Sequence, residues 1–125
     1  MTLDPTWLWL ASAVALANWC VHAFVGGPQI VRPLLASDLP DMPKYVLHFV
    51  WHVATITLLS FPVSYALAAI YPPAWPLALM STVLAALIGL MIAGMAAARR
   101  LPFLVTPQWT LFLIVALFGL LPVWI

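Results

Sequence analysis

The chain has 125 residues, of which 66% are hydrophobic and only 6% are charged. Soluble domains contain about 25% charged residues, and a soluble fold of this size has too small an interior to bury so much apolar surface. The composition therefore excludes a soluble globular domain and predicts an integral membrane protein. The formal net charge of +1 gives no indication of nucleic-acid binding, and the single cysteine, Cys20, excludes an intrachain disulfide.

Four apolar segments predict an all-α, polytopic membrane protein with four transmembrane helices in an up-down-up-down bundle. A hydrocarbon core about 30 Å thick requires about 20 residues of helix, and each segment meets this length. No domain boundary or internal repeat is visible, so we expect one domain over residues 1–125. The predicted helices cover about residues 5–25, 43–70, 75–98 and 107–125.

Helix-capping and helix-breaking residues predict where the first helix begins and ends. Asp4 followed by Pro5 is typical of an N-cap and a first-turn proline. The Gly26-Gly27-Pro28 sequence predicts the helix end, because glycine adopts a left-handed cap and proline cannot continue the helix. We therefore expect residues 26–42 to form a long loop, which its apolar residues would keep partly ordered at the cytoplasmic interface.

The basic residues predict the orientation of the chain in the membrane. All four of them, Arg32, Lys44, Arg99 and Arg100, lie in or beside the first and third predicted loops, which share one side of a four-span bundle. Loops on the cytoplasmic side of a membrane carry an excess of lysine and arginine. We therefore expect the bacterial cytoplasmic membrane, with the lipid bilayer as the partner and both chain termini outside.

The topology predicts that all three histidines lie at a similar depth near the cytoplasmic face. His48 and His52 are four residues apart and share a helix face, and His22 lies near the end of the preceding helix. Neutral imidazole is a common ligand of zinc, copper and iron. The sequence therefore predicts a transition-metal site formed by His22, His48 and His52, although histidines that only form hydrogen bonds between helices would give the same pattern.

Two further predictions concern what surrounds or replaces this metal. A haem b is an alternative cofactor, and His22 would then have to ligate the iron together with His48 or His52, since the last two project from one face. Five polar residues near the histidines are candidates to orient the metal ligands or complete the set. These candidates are Asn18, Gln29, Asp38, Asp41 and Thr55.

One stretch carries a family resemblance. The sequence Gly-Gly-Pro-Gln-Ile-Val-Arg-Pro-Leu-Leu-Ala-Ser at residues 26–37, followed by His48, Trp51-His52 and Thr55, resembles small uncharacterised bacterial four-helix membrane proteins. The resemblance covers mainly residues 22–55 and implies that the loop and the histidines form one unit. It implies no established activity.

Several functions fit these observations. The chain contains no glutamate, which excludes the mechanism of the small multidrug transporters. Ser12, Ser60 and Ser81 have no base and orienting acid beside them for nucleophilic catalysis. We expect a metal-binding membrane protein with a redox-related role. The alternatives are a haem-binding protein, a pH sensor, and a non-catalytic subunit that associates with other membrane subunits or with copies of itself.

Overall fold

The structure is a computed structural model that describes residues 4–124. These residues form helices joined by short connections, and no strand occurs among them. The first helical segment consists of α1, a π-helix and α2, and α3, α4 and α5 follow. Their bounds are Pro5–Cys20 for α1, Val21–Val31 for the π-helix, Arg32–Leu35 for α2, Asp41–Ile70 for α3, Trp75–Ala98 for α4 and Gln108–Trp124 for α5.

Three helical segments are long and apolar enough to cross a membrane, within the part of the chain that the structure describes. The segments are Pro5–Leu35, Asp41–Ile70 and Pro72–Ala98, and the last includes the 3₁₀ turn Pro72–Ala74. The apolar helix Gln108–Pro122 is shorter. The all-helical fold and the membrane location predicted from composition are therefore confirmed. The length of the last helix does not decide whether it is a fourth span.

The predicted helix end at Gly26-Gly27-Pro28 is wrong. The chain continues through these residues as a π-helix and then as α2, so only residues 36–40 separate it from α3. A π-helix pairs each N–H with the carbonyl five residues earlier, and Pro28, which has no N–H to donate, lies inside it. Neither glycine takes the left-handed conformation, because none of the described glycines has a positive φ.

The first segment packs against α3 in the antiparallel direction. Ser12 Oγ donates a hydrogen bond to the Pro62 carbonyl at 2.8 Å, and Trp19 Nε1 donates to the Thr55 carbonyl at 2.9 Å. Residues earlier in α1 therefore meet residues later in α3. α3 continues as one helix through Pro62, and the Pro62 carbonyl accepts the hydrogen bond from Ser12.

Side-chain hydrogen bonds join α3 to α4 inside the bundle. Tyr65 Oη and Thr82 Oγ1 are 2.9 Å apart, and Ser81 Oγ donates to Ser64 Oγ at 3.0 Å. All four side chains are buried. The apolar core surrounds them and consists of Leu8, Ala11, Ala15, Leu58, Phe61, Ala68, Ala78, Ala85, Phe112, Val115 and Ala116.

The end of α4 is marked by an unusual arginine. Arg100 has φ of 52°, Leu101 N donates to the Ala96 carbonyl at 3.0 Å, and Arg100 N donates to the Ala97 carbonyl at 3.1 Å. This is the Schellman pattern, in which the left-handed position usually holds glycine. An arginine at such a position costs of order 1 kcal/mol, so its charge is placed there at the expense of local stability.

Candidate functional site

The π-helix places His22 against α3. His22 Nε2 lies 2.9 Å from Thr55 Oγ1, and Thr55 Oγ1 donates its own proton to the Trp51 carbonyl at 2.9 Å. Thr55 Oγ1 must therefore accept from His22, which assigns the imidazole proton to Nε2 and leaves Nδ1 as a hydrogen-bond acceptor. The imidazole also stacks on the Trp51 indole, with ring centroids 4.0 Å apart and planes inclined by 15°.

Gly26 makes room for the same indole. A Cβ atom added at Gly26 would lie 2.6 Å from the Trp51 Cη2 atom, which is closer than carbon atoms approach one another. The close approach at Gly26 is therefore to a side chain, which would have to move if a Cβ were added, and the backbone is not left-handed. The glycine that was expected to end the first helix instead leaves room for the Trp51 indole beside His22.

His48 and His52 form a separate pair. Their Nε2 atoms are 3.1 Å apart, and their ring centroids are 4.7 Å apart. One helical turn joins them, so no long-range fold is needed to bring the two nitrogens together. His48 is half-buried and His52 is exposed.

The structure does not bring the three predicted metal ligands together. Within residues 4–124 there is no group of three or more histidine, cysteine or acidic side chains placed to hold one metal ion. His22 is engaged with Thr55 and Trp51, while His48 and His52 contact each other. The predicted site therefore separates into one histidine beside the π-helix and one histidine pair on α3.

The five other predicted site residues also separate. Thr55 holds His22, and Asn18 and Gln29 line a cavity beside it. Asp38 lies in the connection between α2 and α3, Asp41 is the first residue of α3, and both are exposed. The two carboxylates therefore belong to the surface, and the amides belong to the cavity.

A cavity lies beside His22. It has a volume of about 440 Å³ and lies between the π-helix, α3 and the start of α5. Binding sites for small molecules in proteins typically have volumes of 300–1,000 Å³ and mostly apolar walls with a few polar groups. None of its lining residues is an aspartate, glutamate, lysine or arginine. They are Asn18, Val21, His22, Val25, Gly26, Gln29, Ile30, Trp51, Leu58, Ile92, Thr106, Pro107, Gln108, Leu111 and Phe112.

Two side chains that line this cavity each have a buried oxygen without a hydrogen-bond partner. Thr106 Oγ1 and Gln108 Oε1 are buried, and among the described residues they are the only buried side-chain polar atoms without a partner. An unpaired buried polar atom costs about 1–3 kcal/mol, and most such atoms in proteins are therefore paired. Both residues line this cavity, so a change of side-chain rotamer would turn either oxygen toward a hydrogen-bond donor of a bound molecule.

The sequence interpretation missed Thr106 and Gln108 because it used Pro107 only to place the start of the last helix. The signal that could have found them is their polarity, since the residues from 101 to 125 are otherwise mostly apolar. Polar residues in membrane-embedded segments usually face the protein interior. Comparison of the chain with protein-family models, curated proteins and solved structures gives no match.

Proposed function

We propose that this protein binds an uncharged, lipid-soluble molecule carrying a hydroxyl group in the cavity between the π-helix, α3 and α5. The observation that carries the proposal is the pair of buried, unpaired oxygens, Thr106 Oγ1 and Gln108 Oε1, at one mostly apolar cavity. Gln108 Oε1 only accepts hydrogen bonds, so the ligand has to supply a donor. The apolar remainder of the ligand is matched by walls such as Trp51 and Phe112.

The neutral lining selects against charged ligands. A charged group inside a low-dielectric cavity is costly unless an opposite charge pairs with it, and the lining supplies no lysine, arginine or acidic residue. Phosphorylated or carboxylated amphiphiles are therefore disfavoured relative to neutral alcohols. An aromatic alcohol would additionally gain from contact with the indole and phenyl rings.

A matched pair of probes tests the ligand chemistry. 2-Naphthol and 2-methoxynaphthalene have similar shapes, but only the first has a hydroxyl proton to donate. We expect the protein in lipid nanodiscs to bind 2-naphthol about tenfold more tightly, because the ether leaves the cavity oxygens unpaired. Equilibrium dialysis measures both affinities, and equal affinities for the two probes would contradict the proposal.

Variants locate the binding in the cavity. Thr106→Val and Gln108→Leu together remove both unpaired oxygens and should abolish the preference for 2-naphthol over its ether. Thr110→Val is the matched control, because the Thr110 hydroxyl already donates to the Pro107 carbonyl at 2.6 Å and Thr110 does not line the cavity. A double variant that keeps the preference would place the binding elsewhere.

The same proposal includes a four-span topology in the bacterial cytoplasmic membrane, with both termini outside. Its support is that α2 ends and α3 begins within residues 32–44, where Arg32 and Lys44 lie, and that α4 ends at Ala98, directly before Arg99 and Arg100. Cysteines introduced at Ser37 and Tyr71 in a Cys20→Ala background should react with impermeant maleimide from opposite sides of the membrane.

The metal, haem and accessory-subunit functions stay predictions. A haem bound by His22 would require this ring to leave Thr55 and Trp51, and a three-histidine metal site would require the same movement. An accessory role is compatible with ligand binding and needs a partner to be identified. The histidine pair on α3 remains the feature that favours a metal, because its two Nε2 atoms already converge.

A further inference from the structure

An exposed stripe of α3 surrounds the histidine pair. Tyr45, Phe49, Ile56, Leu59 and Val63 have exposed fractions of 48%, 62%, 73%, 40% and 50%. With His52 included, the positions are separated alternately by four and three residues, which is the spacing by which two helices pack along a common seam. We call these six residues the α3 seam. Val46 and Val53 beside them are also exposed, at 47% and 61%, so His52 is what singles out this stripe.

Lipid suits five of these side chains but not the sixth. A polar imidazole facing hydrocarbon is costly, so ionisable residues in membrane helices usually contact protein. His48 provides one partner for His52 through the 3.1 Å contact, yet His52 remains exposed in the single chain. A second protein surface on the α3 seam would remove this cost.

The geometry of the pair matches half of a tetrahedral metal site. Zinc–nitrogen bonds of about 2.0–2.1 Å place two histidine nitrogens about 3.3 Å apart at a tetrahedral angle. The observed separation of 3.1 Å is close to this value. Because no third histidine, cysteine or acidic side chain joins the pair within the described part of the chain, two coordination positions would stay open.

We propose that two copies of this chain pack along the α3 seam and share one zinc-class metal ion, bound by His48 and His52 of each copy. Copies related by a two-fold axis along the membrane normal present the same residues at the same depth. The two histidine pairs then face each other and complete a four-nitrogen set. This site is independent of the cavity and adds a metal-linked assembly to ligand binding.

The depth of the pair is compatible with metal entry from water. A 30-residue helix such as α3 is about 45 Å long, whereas the hydrocarbon core is about 30 Å thick. For a centred helix, His48 lies about 4 Å and His52 about 10 Å inside the hydrocarbon core, so metal would reach the pair from the end at which α3 begins. Neutral imidazoles ligate zinc, and because no acidic residue lies between Lys44 and Arg99, an anion from solution has to balance the charge of the bound ion.

Metal-dependent assembly is the first test. The tag-free protein in mild detergent should bind one Zn²⁺ per two chains by elemental analysis, and Zn²⁺ should tighten dimerisation about tenfold or more relative to EDTA. Light scattering during size-exclusion chromatography measures the dimer. His48→Ala and His52→Ala should each lose the effect, and the His22→Ala control should retain it.

The stoichiometry and the controls decide the outcome. One zinc per single chain, no bound zinc, or a dimer that responds to zinc equally in His52→Ala would each overturn the shared site. Loss of the zinc response in the His22→Ala control would return His22 to the metal site and also overturn it. Circular dichroism of each variant verifies that the helices are retained.

Cross-linking in native membranes tests the packing surface without detergent. In a Cys20→Ala background, Phe49→Cys should form a covalent dimer with a short bis-maleimide. Leu87→Cys is the matched control, since Leu87 on α4 has a similar exposed fraction of 58% but lies outside the seam. Cross-linking that is equal at the two positions would contradict packing along α3.

Discussion

The two halves of α3 differ in what surrounds them. All six buried residues of this helix lie from Leu58 to Ala68, whereas every residue from 41 to 57 is half-buried or exposed. The π-helix that packs beside the first half has no buried residue. We call the first half with the π-helix the open end, and the second half with its neighbours in α1, α4 and α5 the packed end.

The densely buried residues lie at the packed end, whereas the candidate binding features lie at the open end. The packed end contains Tyr65, Phe61 and Val115, which are at most 2% exposed, and its hydroxyl groups are paired with one another. The open end contains the cavity, the stacked His22 and Trp51, and the histidine pair. A rigid region that holds a less densely packed binding region is a common arrangement in proteins, and here the two share one helix.

The largest expected effect contrasts one phenylalanine from each end. Phe61→Ala should lower the free energy of unfolding by about 3–5 kcal/mol, because Phe61 is 2% exposed and the packed end cannot easily fill the space. Phe49→Ala, at a 62% exposed position, should change it by less than about 0.5 kcal/mol when measured with EDTA. Unfolding by sodium dodecyl sulfate in mixed micelles gives both values. Equal effects of the two substitutions would contradict the difference in packing between the two ends.

A second prediction concerns the closest helix contact at the packed end. A Cβ atom added at Gly119 would lie 2.5 Å from Tyr65 Oη and also collide with Thr82 Oγ1. Gly119→Ala should therefore destabilise the protein by about 1–3 kcal/mol, since the hydroxyl pair between α3 and α4 has to move. The same detergent titration measures the change, and a neutral result would indicate that α5 can shift freely.

A third prediction concerns the unpaired hydroxyl at the open end. Thr106→Val should raise the free energy of unfolding by about 1 kcal/mol, because it removes a buried oxygen that has no partner. Thr110→Val should instead lower it by about 1 kcal/mol, since the Thr110 hydroxyl donates to Pro107. Destabilisation by both variants would show that Thr106 contributes to structure as Thr110 does.

The smallest expected effect uses a glycine without close neighbours. No atom lies within 4 Å of a Cβ added at Gly94, which is exposed in α4. Gly94→Ala should stabilise the protein by about 0.5–1 kcal/mol, because alanine loses less backbone freedom on forming a helix. Its sign is opposite to that for Gly119→Ala, so the two variants measured together test whether contacts decide the outcome.

Much of the fold follows from the sequence. Apolar length predicts the long helices, and Asp4 caps α1 by accepting a hydrogen bond from Thr6 N at 2.8 Å, as the Asp-Pro pattern indicates. The continuation through Pro28 could not be predicted, because an isolated proline strongly favours a helix end. A π-helix next to a binding cavity is a tertiary outcome, and it depends on how Trp51 packs over Gly26.

The candidate site was predicted in part. The four-residue spacing of His48 and His52 is enough to bring their nitrogens together, since both lie on one helix. The position of His22 depends on the rotation of one helix against another, which composition does not determine. The sequence places His22 near α3, but the ring turns toward Thr55 and Trp51 and away from the histidine pair.

The neutral lining of the cavity has a consequence for membrane energetics. Moving one elementary charge across a potential of 100 mV changes the energy by about 2.3 kcal/mol. Between Lys44 and Arg99 the sequence contains no lysine, arginine or acidic residue, and the cavity adds none. A neutral alcohol entering such a site carries no charge through the field, so its affinity should be the same in polarised and in depolarised vesicles.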